Sequence, residues 1–250
     1  MAEPLALKGK VALVTGASRG IGAAISVHLA RAGAMVLINY AKSEEAARAL
    51  ADQIERDGGK AHLLKGDVSD PKDVDAMFDR LIAGPIDILV NYAGVYLTGT
   101  LDEFSEADFD KTFAVNVKSL FLVTKKALPR LAEGGRVINI GSMIGERVPF
   151  PGASVYAASK FAVAGLTRAW ARELAPRKIT VNVVQPGPVD TDMNPADASK
   201  NAAADFLRGA IPLGRYGTTD EVAALVTFLA TPPAAFITGA AINVDGGLVA

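Results

Sequence analysis

The chain of 250 residues carries 26 Lys and Arg against 27 Asp and Glu, half of it is hydrophobic and 21% is charged. That balance belongs to a globular protein with a large core, which excludes intrinsic disorder, and it leaves no basic excess to neutralise a nucleic-acid backbone. The complete lack of cysteine removes disulfides, thiolate metal sites and cysteine nucleophiles together.

His28 and His62, the only histidines, do not stand at a metal-ligand spacing, so no metal is expected. The opening "MAEPLALKGK" has no basic start followed by an apolar stretch. No apolar run approaches the roughly 18 residues of a membrane span. A cytoplasmic protein with neither membrane nor nucleic acid as partner is the expectation.

Apolar β-rich runs alternate with helix-period segments in chain order. "VALVT" (Val11 to Thr15) reads as a strand, and "GAAISVHLARAG" as a helix closed by Gly33. "MVLIN" is a second strand, followed by a helix from Ser43 to about Arg56 that stops at Gly58 and Gly59. "AHLLKGD" is a third, and "DPKDVDAMFDRLI" a helix with Asp70 as N-cap and Pro71 at its first position. "IDILVN" and "GRVINIGS" are strands separated by a long amphipathic helix from about Ser105 to Leu131. A helix from Tyr156 to about Leu174 leads into "ITVNVVQP"; the helix "TDEVAALVTFLA" and the strand "AAINV" close the chain. Strands without polar alternation suit a sheet covered on both faces, so the expectation is a single α/β domain over residues 1–250, a doubly wound parallel sheet. The Pro- and Ala-rich excursion from Pro188 to Pro212 breaks this rhythm, and is expected as a lid over the carboxyl ends of the strands.

"VTGASRGIG" sets Gly16, Gly20 and Gly22 between the first strand and first helix. Glycine there lets the backbone approach a diphosphate, whose charge is favoured by the free N–H groups and positive dipole end of the helix. Tyr156 and Lys160 in "YAASK" lie one helical turn apart on one face, where a phenol and an ammonium can serve one site.

The order Gly-x-x-x-Gly-x-Gly, then "NYAG" at 91 to 94, Asn116 in "FAVNV", Ser142 in "INIGS", "YAASK", Pro186-Gly187 and "TGAAINVDGG" resembles the short-chain dehydrogenase/reductase family over nearly the whole chain. The resemblance implies a seven-stranded Rossmann fold and an active group of Asn116, Ser142, Tyr156 and Lys160. Tyr156 would give a proton to a carbonyl oxygen, Lys160 would favour ionisation of the phenol and bind the nicotinamide ribose, Ser142 would orient the carbonyl, and Asn116 would hold a relay water through its side chain or a local helix irregularity. It further implies a cofactor held by the glycine turn with Ser18, Arg19 and Ile21, by Asp67 and Val68 at the adenine, by Asn91, Ala93 and Gly94 in the cleft, and by Pro186, Gly187, Val189 and Thr191 at the nicotinamide.

The second strand ends in Asn39 and Tyr40 rather than in a carboxylate that would accept from the ribose hydroxyls of NAD. Arg19, Lys42 and Ser43 can clamp a 2′-phosphate, so NADP(H) is expected in preference to NAD(H). The family usually has a second asparagine where this chain has Tyr92, and the hydrogen bonds of that asparagine are lost here. Val95, Met143, Val148 and Phe150 are candidates for an apolar substrate wall. Reduction of a ketone or 3-oxoacyl carbonyl by a homotetramer is what the resemblance implies; a regulatory protein that binds a dinucleotide or metabolite in the same pocket is the competing reading.

Overall fold

The computed structural model describes residues 5–81 and 84–250. Seven parallel strands run in the order β3-β2-β1-β4-β5-β6-β7: β1 Val11–Val14, β2 Met35–Tyr40, β3 Lys60–Lys65, β4 Ile86–Asn91, β5 Leu131–Ile140, β6 Thr180–Pro186 and β7 Ala241–Val244. Helices α1 Gly20–Arg31, α2 Glu44–Arg56, α3 Pro71–Asp79, α4 Glu106–Phe113, α5 Ser119–Ala127, α6 Ser154–Glu173, α7 Ala204–Ala210 and α8 Thr219–Ala230 connect them.

The pleat divides each continuous apolar strand between two cores. Ala12, Val14, Val36, Ile38, Ile88 and Val90 point to the face covered by α1, α2 and α8. Leu13, Leu37, Leu89, Val137 and Val181 point to the other, where Met77 and Phe78 of α3, Val123 and Ala127 of α5 and Ala171 of α6 meet them. Burial on both faces is why these strands show no polar alternation. The strand order reverses between β1 and β4, so the loops after them diverge and leave a crevice at the carboxyl ends.

Asp70 caps α3 by accepting from the Lys72 N–H at 2.9 Å, with Pro71 at the first helical position. That helix ends at Asp79; Ile82, the last residue of the expected helix, lies outside the described residues. The single helix expected from Ser105 to Leu131 is instead α4, a π turn over Ala114–Lys118, α5 and a 3-10 turn over Leu128–Arg130. Pro129, which has no N–H and crowds the preceding turn, ends the α-helical run, and Leu131 already belongs to β5. Between β5 and α6 a 3-10 turn, Met143–Gly145, tucks beneath α6. A Cβ on Gly145 would stand 2.9 Å from the backbone C and O of Lys160.

Gly145→Ala is therefore expected to push α6 from its seat and lower the unfolding free energy by about 1–3 kcal/mol, measurable by urea denaturation.

Candidate active site

The loops after β1, β4, β5 and β6 enclose a cleft of about 190 Å³. Of the expected cofactor and catalytic residues, Arg19, Gly20, Ile21, Gly94, Ser142, Tyr156, Lys160, Pro186, Gly187, Val189 and Thr191 line it. Gly16 has φ +64° and a Cβ on it would stand 2.9 Å from the Ala93 Cα, so the turn after β1 and the loop after β4 touch where only glycine fits. Arg19 is extended at the N-cap of α1 and caps it with no side-chain hydrogen bond, which leaves the first amides of the helix to face the cleft. Ser18 belongs to the same turn, and Gly22 is buried in the first turn of α1 behind this wall. A backbone cradle without side chains, at a helix N-terminus and beside an exposed arginine, fits the diphosphate of a dinucleotide.

Asn39 does not face the cleft. It is 1% exposed; its Oδ1 accepts from the Gly16 N–H at 3.1 Å and its Nδ2 donates to the carbonyls of Leu64 and Gly66 at 3.1 and 3.0 Å. The amide thus joins the glycine turn to the end of β3, a job that needs one acceptor and one donor group on the same side chain. Tyr40 is likewise buried, whereas Lys42 and Ser43 are exposed beside it. Val68 packs in the core with Val74, and Asp67 Oδ1 accepts from the N–H and hydroxyl of Ser69 at 2.9 and 2.7 Å, closing a turn. Asn91 Nδ2 donates to Thr124 Oγ1 at 3.0 Å and Asn139 Oδ1 at 2.9 Å, locking β4 to α5 and β5. For these positions sequence gave the right end of the sheet, with side chains that serve the protein interior.

Ser142 stands at the end of β5, and its Oγ accepts from the Ile144 N–H at 3.3 Å. Its hydroxyl faces the same cleft as that of Tyr156, on the first turns of α6. Lys160, 6% exposed, donates to the Ile140 carbonyl at 3.1 Å, and its Nζ lies 5.5 Å from the centre of the Tyr156 ring. Burial lowers the lysine pKa to about 8. Burial also pushes the Tyr156 phenol up, more strongly than the nearby Ser142 hydroxyl pulls it down. Burial dominates this shift, and the phenol is held in its protonated, proton-donating form. Asn116 lies in the π turn with its side chain already engaged: Oδ1 accepts from the Val95 N–H at 2.8 Å, and Nδ2 donates to the Val95 carbonyl at 3.0 Å and Ser159 Oγ at 3.1 Å. The side chain is thus committed to protein partners, and the local helix irregularity expected at Asn116 is present as this π turn.

Val95, Met143 and Phe150 line the cleft, while Val148 is 47% exposed and stands apart from it. Tyr92, noted in the sequence only as a departure from the family pattern, also lines the cleft; residues that sequence reasoning did not single out are Ile144, Met193, Leu207 and above all Tyr96, whose ring meets Tyr156 edge-on with centroids 4.7 Å apart. Only the position of Tyr96 directly after "NYAGV" could have signalled it. The segment after β6 turns back over the crevice: Thr191 Cγ2 lies 3.7 Å from where a Cβ on Gly20 would be, and Met193, Asn194 and Leu207 of α7 form the roof.

A family model described as enoyl-(acyl carrier protein) reductase matches residues 16–249. The chain is 40% identical over 243 residues to a 3-oxoacyl-[acyl-carrier-protein] reductase of Staphylococcus aureus, covering 96% of this chain and 98% of that protein. It is 41% identical over 242 residues to a cyclic-di-GMP-binding biofilm dispersal mediator protein of Escherichia coli, covering 96% and 98%. The solved structure of a short chain dehydrogenase from Burkholderia cenocepacia in complex with NADP superimposes with a TM-score of 0.94 at 47% identity, covering 98% of this chain and all of that one.

Asn39→Asp removes both donors and sets a carboxylate against two carbonyl oxygens. It is expected to lower the unfolding free energy by about 2–4 kcal/mol near neutral pH. The buried carboxyl holds its proton to higher pH than the unfolded one, so the loss grows as pH rises and shrinks below about pH 4, as urea denaturation across pH would record.

Proposed function

Since the chain belongs to the short-chain dehydrogenase/reductase family of oxidoreductases, we propose that it reduces a ketone or 3-oxoacyl carbonyl to a secondary alcohol with NADP(H), Tyr156 giving the proton. The observation that carries this reading is the meeting of the Ser142 hydroxyl, the Tyr156 phenol and the Lys160 ammonium on one wall of a cleft whose other wall is the glycine turn with Arg19. A bound NADPH supplies the hydride for the carbonyl carbon. Ser142 donates to the carbonyl oxygen and holds it beside Tyr156, whose hydroxyl proton passes to that oxygen as its charge develops. Lys160 keeps a positive charge next to the resulting phenolate, and its own proton can make good the one Tyr156 gave up. The π turn at Asn116 is the path by which solvent reaches Lys160. A hydroxyl and a phenol aimed at one oxygen favour a carbonyl over a carbon–carbon double bond.

The preference for NADP(H) rests on Arg19 and Lys42, both exposed at the end of the sheet where the adenine ribose would lie, and on the lack of a carboxylate at Asn39 and Tyr40. The segment from Pro188 to Pro212 acts as the lid, and Tyr96, Phe150 and Met193 bound an apolar substrate. Assembly as a homotetramer through α4, α5, α6 and β7 belongs to the same reading, supported by Phe109, Phe121 and Phe161, which are 45%, 43% and 47% exposed. Similarity to the Escherichia coli protein supports a second reading, a regulator that binds a dinucleotide in this cleft without turnover.

Oxidation of NADPH and NADH against ketones, diketones, 3-oxoacyl thioesters and enoyl thioesters distinguishes these readings. Turnover with a carbonyl and NADPH is expected, with a loss of about 100-fold or more in Tyr156→Phe. Cofactor binding without carbonyl reduction by the wild type would favour the regulator, and turnover of enoyl thioesters alone would sink the carbonyl assignment. As pH rises through about 8, Lys160 loses its proton while the phenol keeps its own, so kcat/KM for reduction is expected to fall on the alkaline side of that value in a pH profile.

A further inference from the structure

Tyr92 occupies a special position in the crevice. Its N–H and that of Ala93 both donate to Thr15 Oγ1, at 3.0 and 3.1 Å, so the start of this loop is pinned across the switch point to the end of β1. The ring lies across the first turn of α1: a Cβ on Gly22 would stand 2.6 Å from its Cδ1 and 2.8 Å from its Cε1, and a Cβ on Gly20 would stand 3.4 Å from its hydroxyl oxygen. Gly22 is therefore glycine because this ring covers it. The phenol oxygen lies beside the backbone of the first turn of α1, at the helix end that Arg19 leaves without a side-chain cap.

A protonated phenol at that place has one proton to give. Tyr92 lines the same cleft wall as Arg19, Gly20 and Ile21, so an acceptor for that proton would lie in the cleft. Burial raises its pKa, and the hydroxyl stays protonated at neutral pH. An asparagine in its place would not extend as far along the turn. We propose that the Tyr92 hydroxyl is a ligand of the cofactor diphosphate, donating to one of its oxygens and so carrying the positive end of α1 one side chain further into the cleft. This rests on the NADP(H) reading above, and it assigns to a residue that departs from the family pattern a direct part in cofactor affinity.

Two titrations test it. NADPH, followed by nicotinamide fluorescence, and adenosine 2′-monophosphate, followed by calorimetry, are each added to wild type and to Tyr92→Phe, which keeps the ring over Gly22 and removes the hydroxyl. The second ligand has the adenine and the 2′-phosphate but no diphosphate. Tyr92→Phe is expected to bind NADPH about tenfold more weakly and adenosine 2′-monophosphate as the wild type does. Unchanged or tighter NADPH binding overturns the proposal, and so does an equal loss for both ligands, which would mean that the hydroxyl only props the turn. With 3-fluorotyrosine at position 92, the fluorine resonance is expected to move with NADPH and to stay with adenosine 2′-monophosphate; a resonance unmoved by bound NADPH also overturns it. Failure of the wild type to bind NADPH at all would instead overturn the cofactor reading.

Discussion

Lys160 is a cation inside the protein, and its ammonium is held against the Ile140 carbonyl at 3.1 Å. Desolvating an ammonium costs several kcal/mol even after relaxation, so the surroundings have to fix it closely or the charge is lost. They do so from three sides. The end of β5 offers the carbonyl, the 3-10 turn at Met143–Gly145 fits under the lysine's own backbone, and the Tyr156 ring closes the side toward the cleft. The proposed chemistry depends on this burial in both directions. It brings the lysine pKa down to about 8, within reach of proton exchange near neutrality, and it keeps the phenol protonated until a reacting oxygen demands the proton.

The carboxyl ends of the strands are held by a set of buried amides; Asn39, Asn116 and Asn139 use donor and acceptor at once, and Asn91 serves as a double donor. Asn39 ties the glycine turn to β3, Asn91 ties β4 to α5 and to Asn139, and Asn139 Nδ2 continues to Thr167 on α6 at 2.9 Å. Asn116 does the same between the Val95 backbone and Ser159. Loops that must present free N–H groups to a ligand cannot satisfy one another, so their positions are fixed from behind by side chains. The polar interior of this protein is thus concentrated under the cleft, and the apolar cores lie along the body of the sheet.

This division explains what sequence could disclose. The β-α alternation was legible because strands buried on two faces must be continuously apolar, and the glycine turn and the pair Tyr156 and Lys160 were legible because their spacing carries a geometric meaning. Asn39 and Asn91 were placed at the right end of the sheet, but an amide at a strand end reads the same whether it faces a ligand or a neighbouring strand. Only the tertiary partners Gly16, Leu64 and Asn139 decide. The π turn at Asn116 has no glycine or proline to announce it, and so the helix from Ser105 read as unbroken. Tyr96 was missed for the converse reason: its contact with Tyr156 joins residues 60 positions apart, and neither local period nor spacing encodes it.

The two walls of the cleft differ in what can vary. The floor is backbone and buried polar groups in which a single added methyl at Gly16 or Gly145 meets main chain. The roof is made of side chains such as Met193, 55% exposed, and Leu207, on a segment tied to the body at a few points, among them the bridge between Val189 and Gly217 and the contact of Thr191 with the glycine turn. Methionine adapts to irregular apolar shapes at little energetic cost. Under the proposed function, a fixed floor would place the carbonyl against Ser142 and Tyr156 with little tolerance, whereas the more adaptable roof, with Met193 and Leu207 beside Asp192 and Asn194, would meet the remainder of the substrate. On this reading, substrate choice resides in Tyr96 and the roof, where substitutions leave the buried amides and Lys160 undisturbed.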